Sequence, residues 1–147
     1  MRYAHTNIVA EDWRRLADFY VNVFGCTPVH PERDLSGEWL DKATGIEGAH
    51  IRGIHLRLPG HGEGGPTLEI FQYDADHEHP KPLASRPGLG HIAFAVEDVE
   101  AVKVAVLEAG GGAVGEVVSI EIPGAGGIEF VYLTDPEGNI IEIQRGK

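Results

Sequence analysis

Two stretches of the chain repeat one pattern of hydrophobic and polar positions. Residues 5–12 read HTNIVAED and residues 91–98 read HIAFAVED, so that each histidine opens a strand-like run that closes on Glu-Asp. The histidine, glutamate and aspartate of the second stretch each follow their counterparts by 86 residues. This repetition predicts two structurally similar halves.

A helical pattern follows each stretch. Asp12 and Asp98 are the predicted N-caps, and Gly25 and Gly110 are the predicted stops. The apolar positions recur at helical spacing in both halves: Trp13, Leu16, Tyr20, Val23 and Phe24 in the first, and Val99, Val102, Val106 and Ala109 in the second.

Further strands complete each half. Residues 67–73 and 139–144 form short β-like runs with one glutamate each, Glu69 and Glu142, and residues 51–58 and 128–133 form another pair. We read residues 35–48 and 59–66 as turn-rich loops that make the first half longer. The prediction is one α+β domain, residues 1–147, in which two βαβββ modules, about 1–75 and 88–147, form a half-barrel sheet around a cavity.

Period-two alternation predicts which side chains face that cavity. Bulky aliphatic residues alternate with the histidines and glutamates, so the aliphatic side is expected to lie under the helices. The opposite side then carries His5, Glu69, His91 and Glu142. Along residues 51–58 the same alternation places His55 and Arg57 on the cavity side as candidate substrate contacts, and an exposed polar strand face is the alternative.

Composition narrows the class of protein. A length of 147 residues suits one domain, and a net charge of −11 disfavours nucleic acid and anionic membrane surfaces as partners. Cys26 is the single cysteine, which excludes an internal disulfide and fits a cytoplasmic setting. The N-terminus lacks the apolar core of a signal peptide, and no run approaches the ~18 apolar residues of a membrane span.

The four cavity-facing residues offer a donor set for one divalent cation. Two neutral imidazoles and two carboxylates suit Zn, Ni, Co, Mn or Fe. Any one of these residues alone is usually an ordinary surface or hydrogen-bonded side chain, but two carboxylates on one buried face need a compensating positive charge. His77 and His79, in an acidic stretch, are read as part of a solvated loop instead.

Three motifs give the chain a family resemblance. DFYVNVFG at residues 18–25, GHIAF at residues 90–94 and DPEGNIIE at residues 135–142, together with the paired modules, resemble the vicinal oxygen chelate superfamily of glyoxalases, bleomycin resistance proteins and extradiol dioxygenases. The resemblance implies a homodimer acting on a small-molecule carbonyl or thioester substrate.

The ligand set favours one branch of that superfamily. Glyoxalase I and methylmalonyl-CoA epimerase are similar in having four ligands, which implies a lyase or isomerase that removes a proton next to a carbonyl via a metal-bound enolate. By resemblance Glu142 is the first candidate for the base and Glu69 the second, with Glu47 a weaker candidate for an opposing acid or base.

Two other functions stay open. An extradiol-type Fe(II) dioxygenase would use His5, His91 and Glu142, leaving Glu69 surplus. A non-catalytic drug-binding protein would need none of the four ligands.

Overall fold

The protein is of the α+β class, as the sequence predicts. The computed structural model describes residues 1–75 and 83–146, so His77 and His79 lie outside the described residues. The chain divides into two compact units, Met1–Glu78 and His79–Lys147, here called unit 1 and unit 2. Within the described ranges, no helix is both long and apolar enough to cross a membrane.

Each unit combines one sheet with the helices between its strands. Unit 1 runs β1 (His5–Val9), α1 (Trp13–Phe24), β2 (Thr27–Ser36), α2 (Glu38–Thr44), β3 (His50–Arg57) and β4 (Thr67–Tyr73). Unit 2 runs β5 (Ile92–Ala95), α3 (Val99–Glu108), β6 (Gly112–Ala113), β7 (Val118–Ile122), β8 (Gly126–Thr134) and β9 (Ile140–Gly146).

The two sheets share one topology. Unit 1 has the strand order β1-β4-β3-β2, and unit 2 has β5-β9-β8-β6, with β7 also paired to β8. In both, the first strand lies parallel to the last, while the other pairs are antiparallel. Since β6 and β7 pair with successive parts of β8, together they take the place that β2 holds in unit 1, and each unit keeps the predicted βαβββ plan.

Both predicted N-caps and the first predicted helix stop are confirmed. Asp12 accepts a hydrogen bond from the Arg15 backbone N–H, and Asp98 accepts one from that of Ala101. Gly25 ends α1 in the left-handed conformation at φ 68°, which glycine adopts without a Cβ clash. Ala109 caps α3, one residue before the predicted Gly110.

The core lies between each sheet and its long helix. Helix α1 packs on β3 and β4, and α3 packs on β8 and β9. Alternate strand residues beneath the helices are buried: Ile54, Leu56, Leu68 and Ile70 in unit 1, and Val131, Leu133, Ile141 and Ile143 in unit 2. Glu69 and Glu142 point to the opposite side of their sheets, which we call the site face of each unit.

One expectation about loops is wrong, and one strand was not located from the sequence. Residues 38–44, inside the segment interpreted as a loop, form α2, because Leu40 is buried against Ala49 and Ile51 and ties this short helix to the sheet. Residues 27–36 form β2, which contains Pro28 and Pro31 and lies at the sheet edge, where prolines cost no ladder hydrogen bond.

Candidate functional site

In unit 1, the site face brings His5 and Asn7 of β1 to Glu69 of β4. Asn7 is the direct strand partner of Glu69 in the parallel β1–β4 pair, and His5 lies two residues earlier on the same face. His5 Nδ1 is 3.4 Å from Glu69 Oε1, and Asn7 Nδ2 donates to Glu69 Oε2 at 3.3 Å. Glu69 is buried, with 9% of its surface exposed.

The antiparallel neighbour β3 adds a second imidazole. His55 stands directly opposite Glu69, and its Nε2 is 3.4 Å from Glu69 Oε1. Burial lowers the pKa of His55, although the Glu69 charge acts in the other direction, so the neutral ring is favoured. Arg57 follows on the same face, opposite Thr67. His55 therefore contacts Glu69, a predicted metal ligand, whereas its role toward a substrate stays a prediction, as does that of Arg57.

Unit 2 repeats this arrangement. His91 immediately precedes β5, and its Nε2 is 2.9 Å from Glu142 Oε2. Tyr132 of β8 stands directly opposite Glu142, so its hydroxyl lies on the same face of the sheet as that carboxylate. The rings of Tyr132 and His91 are 5.1 Å apart. Burial raises the pKa of Tyr132, and the Glu142 carboxylate adds to this, so the phenol stays a donor.

The glutamates and the side chains around them form one cluster in each unit, and we call each cluster a half-site. The two half-sites are equivalent by register but differ in chemistry. In each, a histidine at the start of the first strand meets a glutamate of the last strand, and a polar aromatic side chain faces that glutamate from the neighbouring strand. That side chain is His55 in unit 1 and Tyr132 in unit 2. Where unit 1 has Asn7 beside its glutamate, unit 2 has the small Ala93.

The donor chemistry of these half-sites fits a divalent cation. Among the described residues, Glu69 and Glu142 form their ion-pair contacts with histidines, not with lysine or arginine. Carboxylates this little exposed, 12% and 13% for the two side chains, need a nearby positive charge. Imidazole nitrogen and carboxylate oxygen are the ligands of the borderline metals predicted from the sequence.

The half-sites do not by themselves have the geometry of a finished metal centre. Within residues 1–75 and 83–146, no group of three or more histidine, cysteine or carboxylate side chains is arranged to hold a metal ion. In unit 1 both imidazoles are directed at the same oxygen, Glu69 Oε1, instead of sharing a common empty point with it.

Two of the side chains that contact the glutamates were not predicted from the sequence. Asn7 lies two residues after His5 and thus shares its face, a signal available from alternation alone. Tyr132 lies ten residues before Glu142, and only the hairpin register makes the two direct partners. Glu47, the weaker acid or base candidate, is exposed in the turn between α2 and β3 and is not part of a strand.

The fold recurs in known proteins of low sequence identity. A glyoxalase family protein from Bacillus cereus superposes with a TM-score of 0.78 at 19% identity, covering 99% of this chain and 93% of its own. A glyoxalase/bleomycin resistance protein/dioxygenase family enzyme from Burkholderia phytofirmans PsJN superposes with a TM-score of 0.62 at 15% identity, covering 98% of both chains. At these identities the likeness is one of fold. No curated protein matches the chain.

A family model gives the assignment that structural likeness alone does not. The model of the Glyoxalase/Bleomycin resistance protein/Dioxygenase superfamily matches residues 2–143, which include both half-sites. The chain belongs to this superfamily.

Proposed function

We propose that the protein is a metal-dependent lyase or isomerase that removes a proton from the carbon next to a substrate carbonyl. His5, Glu69, His91 and Glu142 are the proposed ligands of a divalent cation, one per chain and chosen from Zn, Ni, Co, Mn or Fe. When bound, such a cation withdraws electron density from a carbonyl oxygen and acidifies the adjacent carbon.

One observation carries the proposal, namely that each unit holds one histidine–glutamate pair at the same place in its sheet. The contacts are 3.4 Å for His5–Glu69 and 2.9 Å for His91–Glu142. A single pair of this kind is common in proteins that bind no metal. Its duplication by register in both units, on the face away from the core, supports a shared role for the four side chains.

Glu142 is the proposed base, and its surroundings suit that role. A carboxylate oxygen accepts the substrate proton, and Tyr132, the direct strand partner of Glu142, presents a hydroxyl that can donate a hydrogen bond on the same face. Glu69 is engaged by more partners, since Asn7 holds one oxygen and two imidazoles face the other. Glu142 is therefore freer than Glu69 to exchange a proton.

The test combines metal analysis with substrate assays. The purified protein, reloaded with each candidate metal, is assayed with the methylglyoxal–glutathione adduct, with methylmalonyl-CoA and with catechol under air. Glu142→Gln should lower proton-abstraction turnover by about 100-fold or more and leave the metal bound. Glu121→Gln, an exposed glutamate of β7, is the control and should leave both unchanged. Full turnover in Glu142→Gln would contradict the assignment of the base.

An Fe(II) dioxygenase is the second candidate, and the contacts of Glu69 favour it. Both oxygens of that carboxylate already have protein partners, Asn7 Nδ2 at 3.3 Å and two imidazoles at 3.4 Å. If Glu69 stays with Asn7 and His55 while His5 binds the cation, then His5, His91 and Glu142 form a two-histidine, one-carboxylate set. Oxygen uptake with catechol by the Fe(II) form, retained in Glu69→Gln, would identify this reaction.

A further inference from the structure

An exposed apolar row lies on β7, at the edge of the sheet in unit 2. Val118, Ile120 and Ile122 alternate with Ser119 and Glu121, yet the three apolar side chains are 41%, 48% and 42% exposed. Their direct partners on β8 are Phe130, Ile128 and Gly126. Five of these residues form one surface, which we call the apolar wall: Val118, Ile120, Ile122, Ile128 and Phe130.

The strand register places this wall on the site face. Residues that are direct partners in an antiparallel pair point to the same side of the sheet. Val118 is the partner of Phe130, Phe130 of Gln144, and Tyr132 of Glu142. Helix α3 covers the other side, where Val131 and Leu133 are buried. The wall is therefore not part of the core beneath α3.

Contacts between rings connect the wall to the histidine–glutamate pair. Phe130 meets Tyr132 edge to face, with ring centroids 5.7 Å apart, and Tyr132 lies 5.1 Å from the ring of His91. A continuous surface thus runs from the polar end at His91 and Glu142 to the hydrocarbon side chains of β7. A few polar groups beside a larger apolar surface are typical of a small-molecule site.

The charges near the wall lie on the other side of the sheet. Glu121 and Glu129 alternate with the wall residues and so point away from it, and Glu129 pairs with Arg145. Exposing an apolar surface of this kind to water costs free energy, and a ligand or partner that covers it removes that cost. A phosphate or a peptide carboxylate would gain nothing from these side chains.

We propose that the apolar wall binds an uncharged hydrocarbon part of the substrate, an aromatic ring or a branched aliphatic group, while its oxygen-bearing end lies at His91 and Glu142. The inference rests on the proposed function and narrows it. The expected substrate is then a carbonyl compound that carries an aromatic or branched aliphatic group, and not a thioester of a charged carrier.

Two chelators that differ only in their hydrocarbon group, methyl or phenyl, test this inference. Acetohydroxamate and benzohydroxamate present the same pair of oxygens, and their affinities for the Zn²⁺-loaded protein are measured by calorimetry and compared with those for free Zn²⁺. After correction for the affinity of each chelator for free Zn²⁺, benzohydroxamate should bind the protein about tenfold more tightly than acetohydroxamate, because its ring loses contact with water. Equal affinities would overturn the inference.

Matched substitutions locate the effect. Ile120→Ser and Val118→Ser should each remove most of the preference for benzohydroxamate without changing acetohydroxamate binding. The controls carry the same substitutions at exposed positions elsewhere, Ile46→Ser and Val104→Ser, and should retain the preference. Circular dichroism checks that all four variants fold. A preference that survives both wall substitutions would overturn the inference.

A metal-free arm separates this inference from the proposed function. If the chain takes up no Zn²⁺ and neither hydroxamate binds, the metal proposal fails, and 1-anilinonaphthalene-8-sulfonate still probes the wall. Its fluorescence with metal-free protein should fall in Ile120→Ser and not in Ile46→Ser, and no difference between the two variants would refute ligand binding at the wall.

Sedimentation tests whether a second copy of the chain covers the wall instead. If Ile120→Ser dissociates an oligomer, the wall is an interface between copies, and the inference is wrong.

Discussion

Tyr132 lies directly opposite Glu142 across the β8–β9 pair, on the same face of the sheet as its carboxylate. In unit 1 the corresponding place opposite Glu69 is held by His55, which approaches within 3.4 Å. The same sheet position thus places a phenol hydroxyl opposite one glutamate and an imidazole opposite the other. The two halves therefore share a backbone plan, but their carboxylates have different surroundings.

Removing the Tyr132 hydroxyl tests its role toward Glu142. Tyr132→Phe keeps the ring contacts and deletes the hydroxyl opposite Glu142, and a hydrogen bond to a charged group contributes about 1.5–3 kcal/mol. We expect Zn²⁺ affinity, measured by competition with a chelator, to fall by about tenfold or more. Tyr73→Phe, in β4 of unit 1, is the control. Unchanged affinity would mean that the hydroxyl does not position the ligand.

Metal addition should raise the melting temperature of the purified protein. A ligand that binds only the folded state stabilises it by about 2.7 kcal/mol at a concentration 100 times its dissociation constant. His5→Ala removes a proposed ligand and should abolish most of the shift, whereas His61→Ala, at an exposed turn position, should retain it. A full shift in His5→Ala would exclude His5 as a ligand.

The stability of unit 1 should depend on pH through His50. This ring lies 2.6 Å from carboxylate oxygens of both Asp34 and Asp74, and the hydrogen bond that it donates to Asp34, followed by the one that it donates to Asp74, raises the pKa of His50 above its ordinary value of 6.5. A raised pKa stabilises the folded state fully below the unfolded value, and this contribution is lost as the pH rises through the folded value.

The measurement compares the wild type with His50→Gln in urea unfolding from about pH 2 to about pH 9. The stability advantage of the wild type should be largest at about pH 5 and shrink as the pH rises. His50 also lowers the pKa of Asp74, with help from Arg52, so the advantage should decline again in strong acid as Asp74 is protonated. His61→Gln should show neither trend. A pH-independent difference would argue against the ion pairs.

Gly53 is the position in β3 where a side chain cannot be accommodated. A Cβ there would lie 2.0 Å from the Ile70 carbonyl oxygen and 2.4 Å from the Phe71 ring. Gly53→Ala should therefore force β3 and β4 apart and destabilise the protein by about 1–3 kcal/mol, measured by urea unfolding. Gly62→Ala, with no heavy atom within 4 Å of the new Cβ, is the control and should be tolerated.

Much of the fold was predictable because it depends on signals within a few residues. Asp12 and Asp98 cap helices through a backbone N–H three residues away, so their role is local. Helix α2 was missed because its stability depends on Leu40 packing against Ala49 and Ile51, a contact that periodicity over seven residues does not reveal. Strand β2 was not located from the sequence, and its prolines are compatible with a strand because it lies at the sheet edge.

By itself, the sequence determined the repeated plan, the two long helices and the side of each sheet on which Glu69 and Glu142 lie, because helical and strand periods are short-range properties. The tertiary structure alone decided the partners of those glutamates: Tyr132 for one, and His55 for the other. Strand alternation assigns a side chain to a face, but the register between strands is set by turns and core packing, and it selects the residue that stands opposite.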